Sequence, residues 1–253
     1  MNRTQVFPLF HVPHDGAAFP KKLMESVCVP EEKFLYYHER MRDTGALKMV
    51  PYEWRNAENT VFFPVSRLLC DVERFLGPGE PMEKLGMGFC YERAYDGTKI
   101  KNISDELLRG TLFYYHSHHG RLNQVCTMHP RLLLLDMHSF SDGIVPCDQL
   151  RDGEKTPDVC LGIDEEYTPA VLVSAAEAVL REAGFTTARN YPYSGSLVPN
   201  AVLGKTVRCE CAAIMLEWNK RVYCDRHGNP AAEPIDRIRK TVKRLVEISL
   251  NLI

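Results

Sequence analysis

Apolar residues along this chain follow two rhythms. Short apolar runs bounded by Gly, Pro or Asn predict strands at Val6–Val12, Thr60–Val65, Arg131–Asp136, Thr186–Asn190 and Cys211–Trp218. Longer stretches with helical spacing predict helices at Ser104–Tyr115, Pro169–Ala183 and Ile235–Leu252. Ser104 opens the first of these, and Asp105 and Glu106 suit the positive end of its dipole. The second has Thr168 as its expected cap, Pro169 in its first turn and Gly184 just past its end. The third carries a basic outer face. Strands alternating with helices predict one α/β domain over residues 1–253 with a largely parallel sheet. Gly77–Lys101 and Cys147–Asp158 read as long excursions, and such loops at strand ends build sites.

Composition narrows the partners. With 253 residues, 45% hydrophobic and 25% charged, the chain has the make-up of a soluble globular protein with a sizeable core. A net charge of −2 argues against nucleic acid or an anionic membrane surface as the main partner. Runs such as Leu132–Leu135 are too short to span a bilayer. Arg3 is followed by no apolar h-region, and Pro8, Pro13 and Asp15 interrupt the segment, so no signal peptide is expected. The nine cysteines include no C-x-x-C pair, and Cys209 and Cys211 are poorly placed for a disulfide with each other. Reduced thiols are the expectation, and with them a cytoplasmic location.

Several segments could carry chemistry. The first predicted strand runs into Pro13-His14-Asp15-Gly16, which puts a His at a strand's carboxyl end. Such a His can serve a metal or catalysis, or be a hydrogen-bonded structural residue. The leucine run ends in Asp136-Met137-His138-Ser139. Residues two apart on a strand share a face, so Asp136 and His138 point the same way. A metal-binding imidazole needs its other N–H held, which a nearby carboxylate can do. The bland alternative is a polar strand end. Glu217 stands in a predicted core strand, where a carboxylate is costly unless paired or functional; it is either a general base or an edge residue. Arg67 and Arg74 follow a strand with Asp71 between them. They fit either bidentate capture of a substrate carboxylate or a surface ion-pair cluster. Tyr114–Leu122 holds His116, His118 and His119, spaced poorly for one helical face. Asn190–Ser196 is a Pro- and Gly-rich turn suited to a site loop, or to an ordinary turn. H-E-x-x-H, G-x-S-x-G, Walker A and G-x-G-x-x-G are all absent, so any metal site must be assembled from distant segments.

Taken in order, these segments resemble the N-formylglutamate amidohydrolase family. Its Pro-His-Ser-Gly-like turn reads Pro13-His14-Asp15-Gly16, and its acidic helix start reads Arg42-Asp43-Thr44-Gly45-Ala46-Leu47. Its Ser-Arg-x-x-x-Asp-x-Asn-Arg element reads Ser66 to Arg74, with Glu73 where the family has Asn. A Tyr/His element matches at His119, an Asp-x-His-Ser element at Asp136–Ser139 and a Leu-Gly element at Leu161-Gly162. An Asn-x-Pro-Tyr-x-Gly element matches Asn190–Gly195, and a final Leu-Glu strand matches Leu216-Glu217.

The resemblance implies a three-layer α/β/α sandwich around a mixed sheet, similar to zinc carboxypeptidases. It also implies a single catalytic zinc. On that basis His14, His138 and Asp43 are the expected ligands, with Glu39 as the alternate for Asp43. Glu217 is the expected general base. Arg67 and Arg74 would hold substrate carboxylates, and His119 and Asn190 would orient polar groups. The implied substrate is a small acidic N-acyl amino acid, N-formylglutamate first. Two rival readings remain at this stage: a carboxypeptidase-like peptidase, which an open cleft would favour, and a non-catalytic binding protein on the same scaffold.

Overall fold

The computed structural model describes residues 5–77, 79–144 and 155–253. Arg3, Cys147 and most of the predicted Cys147–Asp158 excursion lie outside them. The chain gathers into two compact units. The first comprises Met1–Val12, Asp43–Val61 and Leu122–Ile253, and the second Pro13–Arg42 and Phe62–Arg121.

The first unit carries a six-stranded mixed sheet. Its strands are β1 (Phe7–Val12), β2 (Thr60–Phe62), β3 (Arg131–Phe140), β4 (Val159–Gly162), β5 (Thr187–Arg189) and β6 (Glu210–Asn219), in the order β2-β1-β3-β6-β4-β5. β1 pairs with β3, β3 with β6 and β4 with β5, all parallel, while β4 runs antiparallel to β6. β3 is longer than its leucine run predicted and continues through Asp136 and His138 to Phe140. β4 had no strand signal in the sequence: four residues are too few to show a period. β2 stops at Phe62, short of the predicted Val65; Pro64 follows two residues on and has no N–H for a ladder. In this unit Leu9, Leu132, Leu134 and Ala213 pack with Leu122, Val125 and Val202.

The helices are α1 (Lys21–Met24), α2 (Glu31–Met41), α3 (Ala46–Met49), α4 (Asp105–Met128), α5 (Ala170–Glu182), α6 (Asn200–Leu203) and α7 (Ala232–Ser249). α5 packs on α7, and α3 on α7 and β3. α7 buries Ile235, Ile238, Val242 and Leu245 at helical spacing, as its pattern predicted. The expected Thr168 cap on α5 is not made. Pro169 holds the cap position, and the Thr168 hydroxyl donates instead to the Ala213 carbonyl at 2.7 Å. Gly184 does stand just past the end of α5, and its φ of 80° favours a residue without Cβ.

The second unit has its own core, with Phe34, Tyr37, Leu68, Leu69, Tyr91 and Ile100 buried together. α2 buries Phe34, Tyr37, His38 and Met41 on one face, a helical period that the polar residues between them concealed in the sequence. Ser104 opens α4 as expected: its Oγ accepts the Leu107 N–H at 3.2 Å. α4 then runs far past Tyr115. Its residues up to Arg121 belong to the second unit and the rest to the first.

Among the described residues no helix is long and apolar enough to cross a membrane. None of the described cysteines forms a disulfide.

Candidate active site

In the first unit, one face of β3 changes character along its length. Leu132 and Leu134 are core, whereas Asp136 and His138, next on the same face, are buried and polar. Asp136 is the hub there. Its Oδ1 accepts from His11 Nδ1 at 2.8 Å and from His138 Nε2 at 3.0 Å, and its Oδ2 accepts the Leu197 N–H at 2.9 Å. Burial alone would raise the Asp136 pKa, but His138 and His11 hold it well below the usual carboxylate range. The other ring nitrogen of His138, Nδ1, lies 3.0 Å from Asp43 Oδ2. Glu217 is the register partner of His138 across β3 and β6, so the two side chains leave the sheet on one side. It is 7% exposed. The partner of Glu217 on β4 is Cys160, whose thiol burial pushes up to about 12, leaving it un-ionised beside the carboxylate.

The second unit holds a parallel arrangement around Asp71. Asp71 Oδ1 lies 2.9 Å from His14 Nε2, and Oδ2 accepts from Arg67 Nη2 at 2.9 Å and Tyr91 Oη at 2.7 Å. Arg74 Nε lies 3.5 Å from the same oxygen. Burial would raise the Asp71 pKa, yet His14, Arg74 and Arg67 hold it well below its ordinary value. His14 Nδ1 faces Glu73 Oε2 at 3.6 Å. Gly16 fixes the turn that carries His14. A Cβ on Gly16 would lie 2.4 Å from the Phe63 carbonyl oxygen, so only glycine lets the two backbones approach this closely.

His138, Asp43 and Glu217 come together in the first unit, and His14, Arg67 and Arg74 come together on Asp71 in the second. Two further expected residues are bonded to backbone. His119 Nε2 lies 2.7 Å from the Val72 carbonyl, so its ring is engaged in holding the loop that bears Arg67 and Arg74. The Asn190 side chain accepts the Ile163 N–H at 2.7 Å and the Gly195 N–H at 3.3 Å, organising its own turn at a φ of 48°. His119 does so from α4, whereas Asn190 follows β5 in a turn that must satisfy its own polar groups. Glu39, the alternate ligand, projects from α2 with its side chain 61% exposed.

Sequence reading missed His11 and Tyr91. His11 left one signal, a polar residue inside an apolar strand. Tyr91 left none, since its contact with Asp71 depends on closure of the loop between them.

The sequence matches the model of the N-formylglutamate amidohydrolase family over residues 8–224. The chain belongs to the N-formylglutamate amidohydrolase family. As a member of that family it is an amidohydrolase. The fold agrees with that of a crystal structure of N-formylglutamate amidohydrolase from Ralstonia eutropha JMP134, with a TM-score of 0.75 and 20% identity over 98% of this chain and 95% of that one. A gene product from Agrobacterium tumefaciens also shares the fold, with a TM-score of 0.60 and 17% identity over 98% and 94% of the two chains. No curated protein matches the sequence.

Proposed function

We propose that this N-formylglutamate amidohydrolase family member hydrolyses the amide bond of an N-formyl or N-acyl amino acid with the help of one zinc ion, N-formylglutamate being the first substrate to test. The observation that carries the metal is a pattern found in both units. Each of His138 and His14 has one ring nitrogen against a buried aspartate, Asp136 or Asp71. In each, the other nitrogen faces a second carboxylate, Asp43 or Glu73. Two carboxylates around each imidazole concentrate negative charge, which a bound cation offsets. The donor set, imidazole plus carboxylate, suits zinc.

His14, His138 and Asp43 are the assigned ligands. Glu73 stands to His14 as Asp43 stands to His138, and it replaces Glu39 as the alternate. When bound, zinc polarises the scissile carbonyl and makes water acidic enough to attack near neutral pH. Glu217 accepts the proton of the attacking water and returns it to the leaving amine nitrogen. Asp71 fixes the orientation of the Arg67 and Arg74 guanidiniums, a preorganisation that suits bidentate binding of the amino acid's carboxylates. The absence of disulfides among the described cysteines supports a cytoplasmic location.

The decisive experiment measures metal content and then screens N-formyl and N-acyl amino acids. About one zinc per chain is expected for a mononuclear catalytic site, with hydrolysis of acidic N-acyl amino acids. A protein that binds no zinc, or that hydrolyses none of them, would sink the reading.

A further inference from the structure

His11 is fully buried on β1 and plays no part in the chemistry assigned so far. It is the register partner of Asp136, so the two side chains leave the sheet on one side. A buried imidazole in an apolar strand costs free energy that a leucine would not, unless it makes a defined hydrogen bond. Its Nδ1 lies 2.8 Å from Asp136 Oδ1, the same oxygen that takes His138 Nε2 at 3.0 Å. With the Leu197 N–H on Oδ2, the carboxylate is pinned at both oxygens.

A carboxylate held at one point can rotate about χ2; held at both it cannot. Asp136 Oδ1 and Asp43 Oδ2 each stand 3.0 Å from a ring nitrogen of His138, so a firmly held Asp136 tips the proton toward Nε2 and leaves Nδ1 toward Asp43. We propose that His11 is a positioning residue: by donating its Nδ1–H to Asp136 Oδ1, it fixes the carboxylate that sets the tautomer and ring orientation of His138. This inference rests on the reading of His138 as a ligand for its metal consequences, but not for the tautomer itself.

Two variants separate positioning from bulk. His11→Leu fills the buried space without a donor, and His11→Asn keeps a donor near the place of Nδ1. In the metal-free protein, nitrogen NMR should show His138 protonated on Nε2. His11→Leu should mix the tautomers, and His11→Asn should restore the single form. Zinc affinity, read by competition with a chromogenic chelator, should fall about 10–100-fold in His11→Leu, the usual scale for outer partners of a metal ligand. His11→Asn should recover most of it.

If His11→Leu keeps both the tautomer and the affinity of the wild type, the proposal is overturned. The same holds if Asn does no better than Leu at equal melting temperature. If neither variant folds, the wild type alone decides, since His138 protonated on Nδ1 in the metal-free protein contradicts the proposal. Failure of the metal reading looks different: wild type and His138→Ala would then bind zinc equally, or not at all, while the tautomer result would still judge His11.

Discussion

His138 on β3 and Glu217 on β6 are direct register partners across two parallel strands, and both are buried. The sheet therefore sets an imidazole and a carboxylate side by side, on neighbouring strands rather than on mobile loops. Glu217→Gln keeps the shape and removes the base. Turnover should fall by at least about 10²-fold, the usual scale for loss of general acid–base catalysis. Zinc content and melting temperature should stay near the wild type. Near-native turnover in this variant would exclude Glu217 as the base.

Substrate charge is the next point of test. Asp71 holds both Arg67 and Arg74, so either guanidinium can meet an acid already oriented. Hydrolysis should require a free carboxylate on the amino-acid half. Arg67→Ala or Arg74→Ala should cost about 2–5 kcal/mol in kcat/KM, as when one partner of a desolvated charge pair is removed. Equal kcat/KM for an acid and its neutral amide would contradict the clamp.

Gly16 offers a backbone test. A Cβ there would come within 2.4 Å of the Phe63 carbonyl oxygen and 2.5 Å of the Pro64 carbonyl carbon. The strands of backbone on either side are tied by the Ala18 N–H to the Pro64 carbonyl at 2.8 Å and the Ser66 N–H to the Ala18 carbonyl at 3.1 Å. Neither side can yield without losing these bonds. Gly16→Ala should destabilise the protein by about 1–3 kcal/mol, the scale of overpacking, and weaken zinc binding by moving His14. Wild-type melting temperature and zinc affinity together would show that the turn relaxes freely.

Asp158 predicts a pH dependence away from the site. Burial alone would raise its pKa, but the backbone N–H and hydroxyl of Thr186 together with Arg221 lower it. The bonds are 2.9 and 2.8 Å from Thr186 and 3.0 Å from Arg221. A depressed folded-state pKa gives stability that is fully present above the unfolded value, near pH ~4, and is lost as pH falls toward the folded value. Asp158→Asn should thus cost about 0.5–1 kcal/mol at neutral pH, the scale for a solvent-screened surface pair. By urea unfolding, that difference should shrink as pH drops below about 4. A difference that stays constant with pH would rule out the charged form as its source.

The sequence by itself marked several polar residues inside apolar strands or at their ends. His14 after the first strand, Asp136 and His138 at the end of a leucine run, and Glu217 in a core strand all stand out because hydrophobic period is a local property of the chain. The α/β class, the last helix and most of the strands follow from the same periodicities. Only the tertiary structure decided which of these groups meet. Asp43 reaches His138 across 95 positions of chain and His11 reaches Asp136 across 125, and no local pattern records such a closure. It also set His119 of α4 against the Val72 carbonyl and Asn190 against the Ile163 and Gly195 N–H groups. Residue period fixes the face a side chain leaves from; the partner it finds there depends on strand order and on loop paths set by packing of the whole unit.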